Sequence, residues 1–183
     1  MKIPKGAKRV YKGKIFEVWE WEQKEFDGGI KTYEMVKRPD SIQIMAVLGG
    51  KLLITREEQP PDHVREVGLL GGRGEEGEDP LQAAKRELME ETGMRSDDWE
   101  LWKVYEPFAK IDHKIYFFIA RNLQKKGEPQ LEAGEKIEIR AVSFDEFIEK
   151  MCNGYWGGEF NADILRMRLE SAKLEEFRKK LLP

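Results

Sequence analysis

Gly72-Arg73-Gly74-Glu75-Glu76-Gly77-Glu78-Asp79-Pro80-Leu81-Gln82-Ala83-Ala84-Lys85-Arg86-Glu87-Leu88-Met89-Glu90-Glu91-Thr92-Gly93-Met94 is a glycine-rich acidic turn that runs into one short, carboxylate-bearing helix. Both helix ends are written in the sequence. Asp79 stands as N-cap, Pro80 takes the first helical position and Gln82 the third, and Gly93 supplies the left-handed residue that stops the helix, so it is expected over residues 80 to 92. Glu87, Glu90 and Glu91 stand at i, i+3 and i+4 and share one face, whereas Leu81, Ala84 and Leu88 form a separate stripe that can pack inward. Neighbouring anions at that spacing destabilise a helix unless something neutralises them, and a hard divalent cation held through carboxylate oxygens does so. The alternative is a solvated acidic face, common in a chain with 37% charged residues.

Two other phosphate-binding motifs are excluded by charge and context. Gly72, Gly74 and Gly77 spell G-x-G-x-x-G ahead of a helix, but Glu75, Glu76 and Glu78 would face the pyrophosphate that this fingerprint places on bare amides, and no βαβ unit follows. No Gly-Lys-Ser/Thr closes the run as a P-loop would. With 183 residues and 40% hydrophobic content, one domain with its own core is expected, with no second globular unit. A net charge of −3 provides no basic footprint for duplex nucleic acid, yet leaves room for a nucleotide-sized ligand. One cysteine, Cys152, cannot form an internal disulfide, and no segment has the apolar run of a signal peptide or membrane span, so a cytoplasmic protein is expected. His63 and His113 stand apart from each other and outside any H-E-x-x-H arrangement, which argues against zinc, and His113 is taken as an ordinary strand residue.

Along the chain, residues 10 to 38 look like a β-hairpin: residues 14 to 26 alternate Trp19 and Trp21 with Glu20 and Glu22, Asp27-Gly28-Gly29 turns the chain, and residues 30 to 38 return. Strands are expected over 42–48 and 51–56, joined through Gly49-Gly50, then a connection over 57–71. After the carboxylate helix come strands over 99–105, 111–121 and 136–142, with a break over 125–134. Ser143-Phe144-Asp145-Glu146 is a capping box that opens a helix to about Met151. Residues 153–158 form an aromatic-bearing loop, and one helix is expected over 161–182 with Ile164, Met167, Leu174, Phe177 and Leu181 inward. Strands on both sides of a central helix imply an α/β (α+β) architecture, a mixed sheet with helices on both faces.

The spacing of the opening stretch settles between bound cation and solvated face. Gly72, five free positions, Glu78, seven free positions, then Arg86-Glu87-Leu88-Met89-Glu90-Glu91-Thr92-Gly93-Met94 resembles the Nudix hydrolase box with every fixed position filled. Its single-identity positions would match by chance on the order of once in 10⁸ starting points at average residue usage. The resemblance implies the Nudix αβα sandwich and metal-dependent pyrophosphate hydrolysis with Mg²⁺ or Mn²⁺. It makes Glu87 and Glu91 the first-choice metal ligands, Glu90 a sharer of the metal or of a ligand water, and Gly71 the donor of a backbone carbonyl. Arg86 and Glu78 would pair to brace the loop, with Gly72 and Gly93 structural. Glu135 is the implied general base, on the acidic segment 132–138 where Glu132 and Glu138 compete with it.

The leading hairpin, Gly158-Glu159-Phe160, Asn161-Ala162 and that acidic segment resemble the ADP-ribose and nucleoside-diphosphate-sugar pyrophosphatase branch. Residues 1–40 would then be a hairpin extension that dimerises and residues 41–183 the hydrolase domain. Arg56, Trp19 and Phe108 are the expected substrate contacts. Trp19, Trp21, Phe108 and Trp156 could stack on a nucleobase, with core packing the alternative for each. The chain departs from the branch where Gln59 and Gly68 replace an expected arginine and glutamate and Leu70 replaces a proline beside Gly71, with Glu66 or Arg65 placed to compensate. The implied activity is cleavage of a nucleoside diphosphate linked to a sugar. Alternatives are a Nudix activity on a dinucleoside polyphosphate or oxidised nucleotide, or a silent nucleotide-binding module, which has no need of clustered anions. A homodimer is expected in which the hairpin of one subunit covers the core of the other and buries Trp19, Trp21, Phe26 and Tyr33.

Overall fold

The computed structural model describes residues 3–61, 63–131, 133–153 and 158–183. In chain order the elements are β1 (Lys8–Lys12), β2 (Glu17–Lys24), β3 (Ile30–Lys37), β4 (Ser41–Leu48), β5 (Lys51–Gln59), β6 (His63–Gly68), α1 (Pro80–Thr92), β7 (Met94–Arg95), β8 (Asp98–Tyr105), β9 (Ile111–Asp112), β10 (Ile115–Arg121), β11 (Gln124–Lys125), β12 (Lys136–Val142), α2 (Phe144–Asn153), α3 (Glu159–Leu169) and α4 (Ser171–Leu181).

Side-chain alternation along three strands builds the layers. On β4, Ile42, Ile44 and Ala46 face one way and Met45 the other; on β5, Leu53 opposes Leu52 and Ile54; on β10, Phe118 and Ala120 oppose Phe117 and Ile119. Both faces are buried, which is why these strands are almost continuously apolar in sequence. The first face is covered by α1 through Ala83, Ala84 and Leu88. The second is covered by α2, α3 and α4, with Phe147, Met151, Phe160, Ile164, Phe177 and Leu181 in one cluster. The central sheet runs β12-β5-β4-β10-β8 with β6 added to β5; β4 and β10 are parallel and the other pairs antiparallel. It is a mixed sheet between helices, the expected α/β sandwich. Among the described residues no helix is long and apolar enough to cross a membrane.

The leading hairpin forms with Trp21 opposite Tyr33 and Glu20 opposite Glu34, and it is larger than the sequence suggests. β1 pairs antiparallel to β2, and β9 joins β3 in parallel, giving a four-stranded sheet β1-β2-β3-β9. Its tip leaves Phe26 fully exposed and Ile30 at 68%.

Four expectations are corrected. The run 111–121 is two strands in different sheets, β9 beside the hairpin and β10 in the core. At the crossing the His113 ring nitrogen lies 3.0 Å from the Pro39 carbonyl and the Lys114 N–H donates to Asp40 at 2.8 Å, so His113 is a buried joint rather than an ordinary strand residue. The connection over 57–71 contains β6 and an extension of β5, paired through Glu57 with Arg65 and Gln59 with His63. This hairpin is largely exposed toward its tip, so it lacks the apolar alternation by which strands are read. The final helix breaks at Glu170, whose φ of −120° and ψ of 90° leave the helical region, and the break lets Ile164 on α3 and Phe177 on α4 reach the same core.

Candidate functional site

β4 and β5 pair at Val47 with Leu52 and at Leu48 with Lys51 and diverge beyond, which opens the sheet on the side of α1. The chain after β6 fills part of the gap by lying along the start of β4: the Ile44 N–H donates to the Leu70 carbonyl and the Ile42 N–H to that of Gly72, both at 2.8 Å. Alternation then turns Gly71 away from β4 and toward α1, where its N–H donates to Glu91 at 2.8 Å. Two glycines make this close approach possible. Gly71 has φ 129°, and a Cβ there would stand 2.3 Å from the Ile42 carbonyl oxygen; a Cβ on Gly72 would stand 2.7 Å from both carboxylate oxygens of Glu87.

α1 is held at both ends. Asp79 accepts from the N–H groups of Leu81 and Gln82, and Gly93 caps the far end at φ 66° with its N–H bonded to the Met89 carbonyl. Ala84 and Leu88 are fully buried on the sheet, and the opposite face carries Glu87, Glu90 and Glu91 with side chains 12%, 42% and about 7% exposed. Arg86 ties this face to the loop. Its Nε and Nη2 donate to the two oxygens of Glu78 at 3.1 Å, its Nη1 to Glu87 at 2.9 Å and Glu90 at 3.0 Å, and Nη2 also reaches the Arg73 carbonyl at 3.2 Å.

These contacts divide the carboxylates electrically. The Arg86 bidentate bond holds Glu78 below the ordinary carboxylate range. Burial instead pushes Glu87 up to about 7, with the charges of Glu90 and Glu135 adding to it and Arg86 opposing. Glu91 is pushed well above its usual value, first by burial and then by Glu87, Glu57 and Glu135, against the single N–H of Gly71. Glu87 and Glu91 are therefore buried acids short of compensating positive charge.

A cleft of about 560 Å³ opens over this face. Glu87, Glu90, Glu91 and Gly71 border it, as do Gly72, Arg86, Phe108 and Glu135, the last within 3.4 Å of the Gln59 amide. Other residues singled out in the sequence lie elsewhere. Arg56 is engaged by Glu58 and Glu66 on β5 and β6, and Glu138 faces Arg140 at 3.9 Å on β12. Trp19 and Trp21 belong to the hairpin sheet, Trp19 bonded to Glu17 and Trp21 set 6.2 Å from Tyr33. Glu132 and Trp156 lie outside the described residues.

Glu57 is a cleft residue that sequence reasoning missed. A Cβ on Gly68 would meet Thr55 Oγ1 at 2.5 Å and Glu57 Oε1 at 3.0 Å, so the Glu57 carboxylate occupies the space that a side chain at position 68 would take. Thr55 donates to it at 2.7 Å and Arg65 pairs with it at 3.1 Å. The Glu57 carboxylate, paired with Arg65, thus stands in the space beside Gly68, while Glu66 turns out to Arg56. The available signal was the pair of departures itself, a missing glutamate at 68 and an unassigned one on the strand beside it.

Among the described residues no three His, Cys, Asp or Glu side chains are already drawn together as a metal-holding group. The donors of the α1 face are all oxygen, the charges of Glu87 and Glu91 are only partly offset by Arg86 and the Gly71 N–H, and they border an open cleft, which fits a hard cation that retains waters and substrate oxygens. Linkage provides a test. A carboxyl titrating near 7 when folded and near 4.5 when unfolded leaves stability untouched below about pH 4.5 and lowers it as pH rises to about 7. Relative to Glu87→Gln, the metal-free wild type is expected to lose roughly 3 kcal/mol between about pH 5 and 8, and Mg²⁺ is expected to raise the melting midpoint more at the higher pH. Calorimetry in chelator and in Mg²⁺ checks both; parallel profiles for the two proteins would mean that Arg86 already compensates Glu87.

The NUDIX domain profile matches residues 37–161. An ADP-ribose pyrophosphatase of Bacillus subtilis (strain 168) is 26% identical over 146 residues, covering 77% of this chain and 78% of that protein. A methanol dehydrogenase activator of Bacillus methanolicus is 25% identical over 149 residues, covering 78% and 79%. The crystal structure of an ADP compounds hydrolase superposes with a TM-score of 0.64 over 92% of this chain and 94% of that one at 20% identity, a likeness of fold. The profile match spans most of the strands that make the sheet, the whole carboxylate helix and the cleft between them, and on that ground the chain belongs to the NUDIX domain family: it is a Nudix hydrolase.

Proposed function

We propose that this hydrolase cuts the pyrophosphate bond of a nucleoside diphosphate linked to a sugar, an ADP-ribose-like compound, to a nucleoside monophosphate and a sugar phosphate. The observation that carries the reading is the pair of buried carboxylates, Glu87 only partly offset by Arg86 and Glu91 held by the Gly71 N–H alone, facing a cleft of nucleotide size. The relative described as an ADP-ribose pyrophosphatase supports the same substrate class. Glu87 and Glu91 would hold Mg²⁺ or Mn²⁺, with Glu90 sharing it or a ligand water and the Gly71 carbonyl adding a donor. Bound there, the cation supplies screening of the diphosphate and a lowered pKa for water.

The chain's own residues do the rest. Arg86 fixes the carboxylate face against the loop, the Gly71 N–H orients Glu91, and Phe108 offers a ring at the cleft wall. Glu135, on the loop before β12, takes the proton from the attacking water. Glu135→Gln is expected to slow turnover about a hundredfold with nearly unchanged Mg²⁺ affinity. If Glu132→Gln behaves so and Glu135→Gln does not, the base is misassigned.

Residues 1–40 serve in this reading as a dimerising extension of a hydrolase domain over 41–183. Support comes from the exposed apolar side chains of the hairpin sheet, Phe26, Ile30 and Tyr11. Light scattering on the eluted protein should give about twice 21.4 kDa; an active species at the single-chain mass would overturn the dimer. Gln59 and Gly68 favour a second reading, hydrolysis of a dinucleoside polyphosphate or an oxidised nucleotide. A nucleotide panel with Mg²⁺, read by phosphate release after phosphatase coupling, decides between them, and failure on every nucleotide-sugar would sink the first.

A further inference from the structure

Four arginines border the cleft, Arg38, Arg65, Arg73 and Arg86. Arg86 is committed to Glu78, Glu87 and Glu90, and Arg65 to Glu57. Among the described residues no carboxylate pairs with Arg38 or Arg73. The Arg38 Nε is buried without a hydrogen-bond partner, its Nη2 lies a long 3.5 Å from the Ser41 hydroxyl, and its guanidinium sits 5.9 Å over the Phe16 ring. Arg73 is brought to the same place by backbone: it forms a β-bridge with Ser41, and the next N–H, that of Gly74, donates to the Asp40 carbonyl at 2.9 Å. Two guanidinium side chains thus flank Ser41. Burial, and then the Arg73 charge, holds the Arg38 pKa below its ordinary value, so the two cations disfavour each other.

Arg38 and Arg73 line the same cleft as the acidic face of α1, whose carboxylates Glu87 and Glu90, with Glu78 of the loop before it, are taken by Arg86. Leaving a buried donor unsatisfied and setting a like charge beside it is unfavourable, and an anion relieves both at once. Planar guanidinium forks match phosphate oxygens in geometry, and two of them together match a dianion better than the single negative charge of an internal phosphodiester.

We propose that Arg38 and Arg73 form a subsite for a phosphomonoester that the substrate carries in addition to the diphosphate being cut. The substrate class this adds to the proposed activity, on which it rests, is a phosphorylated nucleoside diphosphate compound.

The subsite is tested first without hydrolysis. Titration calorimetry of the full chain with inorganic phosphate in chelator should show binding, weakened about tenfold or more in Arg73→Ala and partly restored in Arg73→Lys. Arg73 is exposed, so the variant is expected to fold, and its melting curve verifies this. No phosphate binding by wild type, or equal binding by Arg73→Ala, overturns the subsite. Next, kcat/KM is compared for ADP-ribose and for ADP-ribose bearing a 2′-phosphate or a 1″-phosphate. At least one phosphorylated form should be preferred about tenfold, with the preference lost in Arg73→Ala; an unchanged ratio overturns the substrate class. Phosphate binding with no nucleotide hydrolysed under Mg²⁺ would instead defeat the proposed hydrolysis and leave the subsite standing.

Discussion

Glu91→Gln is expected to lower turnover at least about a hundredfold while raising the melting midpoint of the metal-free protein. The two effects have one cause. The glutamine keeps the volume of a side chain that packs between α1 and the glycine loop, and its oxygen can still accept the Gly71 N–H. What it removes is a negative charge that burial and three neighbouring carboxylates disfavour. Glu87→Gln should behave alike, because its carboxylate is also buried and raised. A merely structural role predicts the reverse pattern, lower stability with residual activity. Rates at saturating Mg²⁺ together with calorimetry in chelator separate the two, and wild-type rates in either variant would remove this helix face from catalysis.

Gly71→Ala is expected to be the most destabilising single change in the loop, by about 4 kcal/mol, with the midpoint falling roughly 10 °C. Part of this is conformational, since φ 129° is a region that L side chains rarely adopt. The larger part is collision with the Ile42 carbonyl at 2.3 Å, backbone that cannot yield without loosening the segment from β4. Gly77→Ala isolates the first contribution, for Gly77 also has positive φ, 80°, but meets nothing within 4 Å. Its cost should stay near 1 kcal/mol. Equal losses in the two variants would mean that the tight passage beside β4 plays no part.

What the sequence disclosed and what it withheld follow from the range of the forces involved. α1 was legible to the residue, because Asp79, Pro80 and Gly93 act on backbone within a turn of themselves. The core strands were legible because burial on both faces removes polar residues from them. The break between β9 and β10 was not, since it depends on Pro39 and Asp40, more than seventy residues away, accepting hydrogen bonds at His113 and Lys114. The bend at Glu170 was hidden for a similar reason: the apolar spacing stays helical across it, and only the shape of the core calls for a turn. In the site, the spacing of the box brought Glu87, Glu90 and Glu91 together on one face, whereas Glu57 enters the cleft by strand pairing and Arg38 and Arg73 from the segments beside Ser41, placements that no local pattern encodes.

The fork of Arg86 also bears on how these positions can change over time. One guanidinium serves Glu78, Glu87 and Glu90 at once, so the effect of replacing any of the three depends on which of the others remain. Loss of Glu78 would shift the freed donors toward Glu87 and Glu90 and compensate them more strongly, and loss of Arg86 would leave three anions to one another. Substitutions within this quartet are therefore epistatic. A lineage that exchanges one member meets a barrier that a joint exchange avoids, whatever nucleotide occupies the cleft.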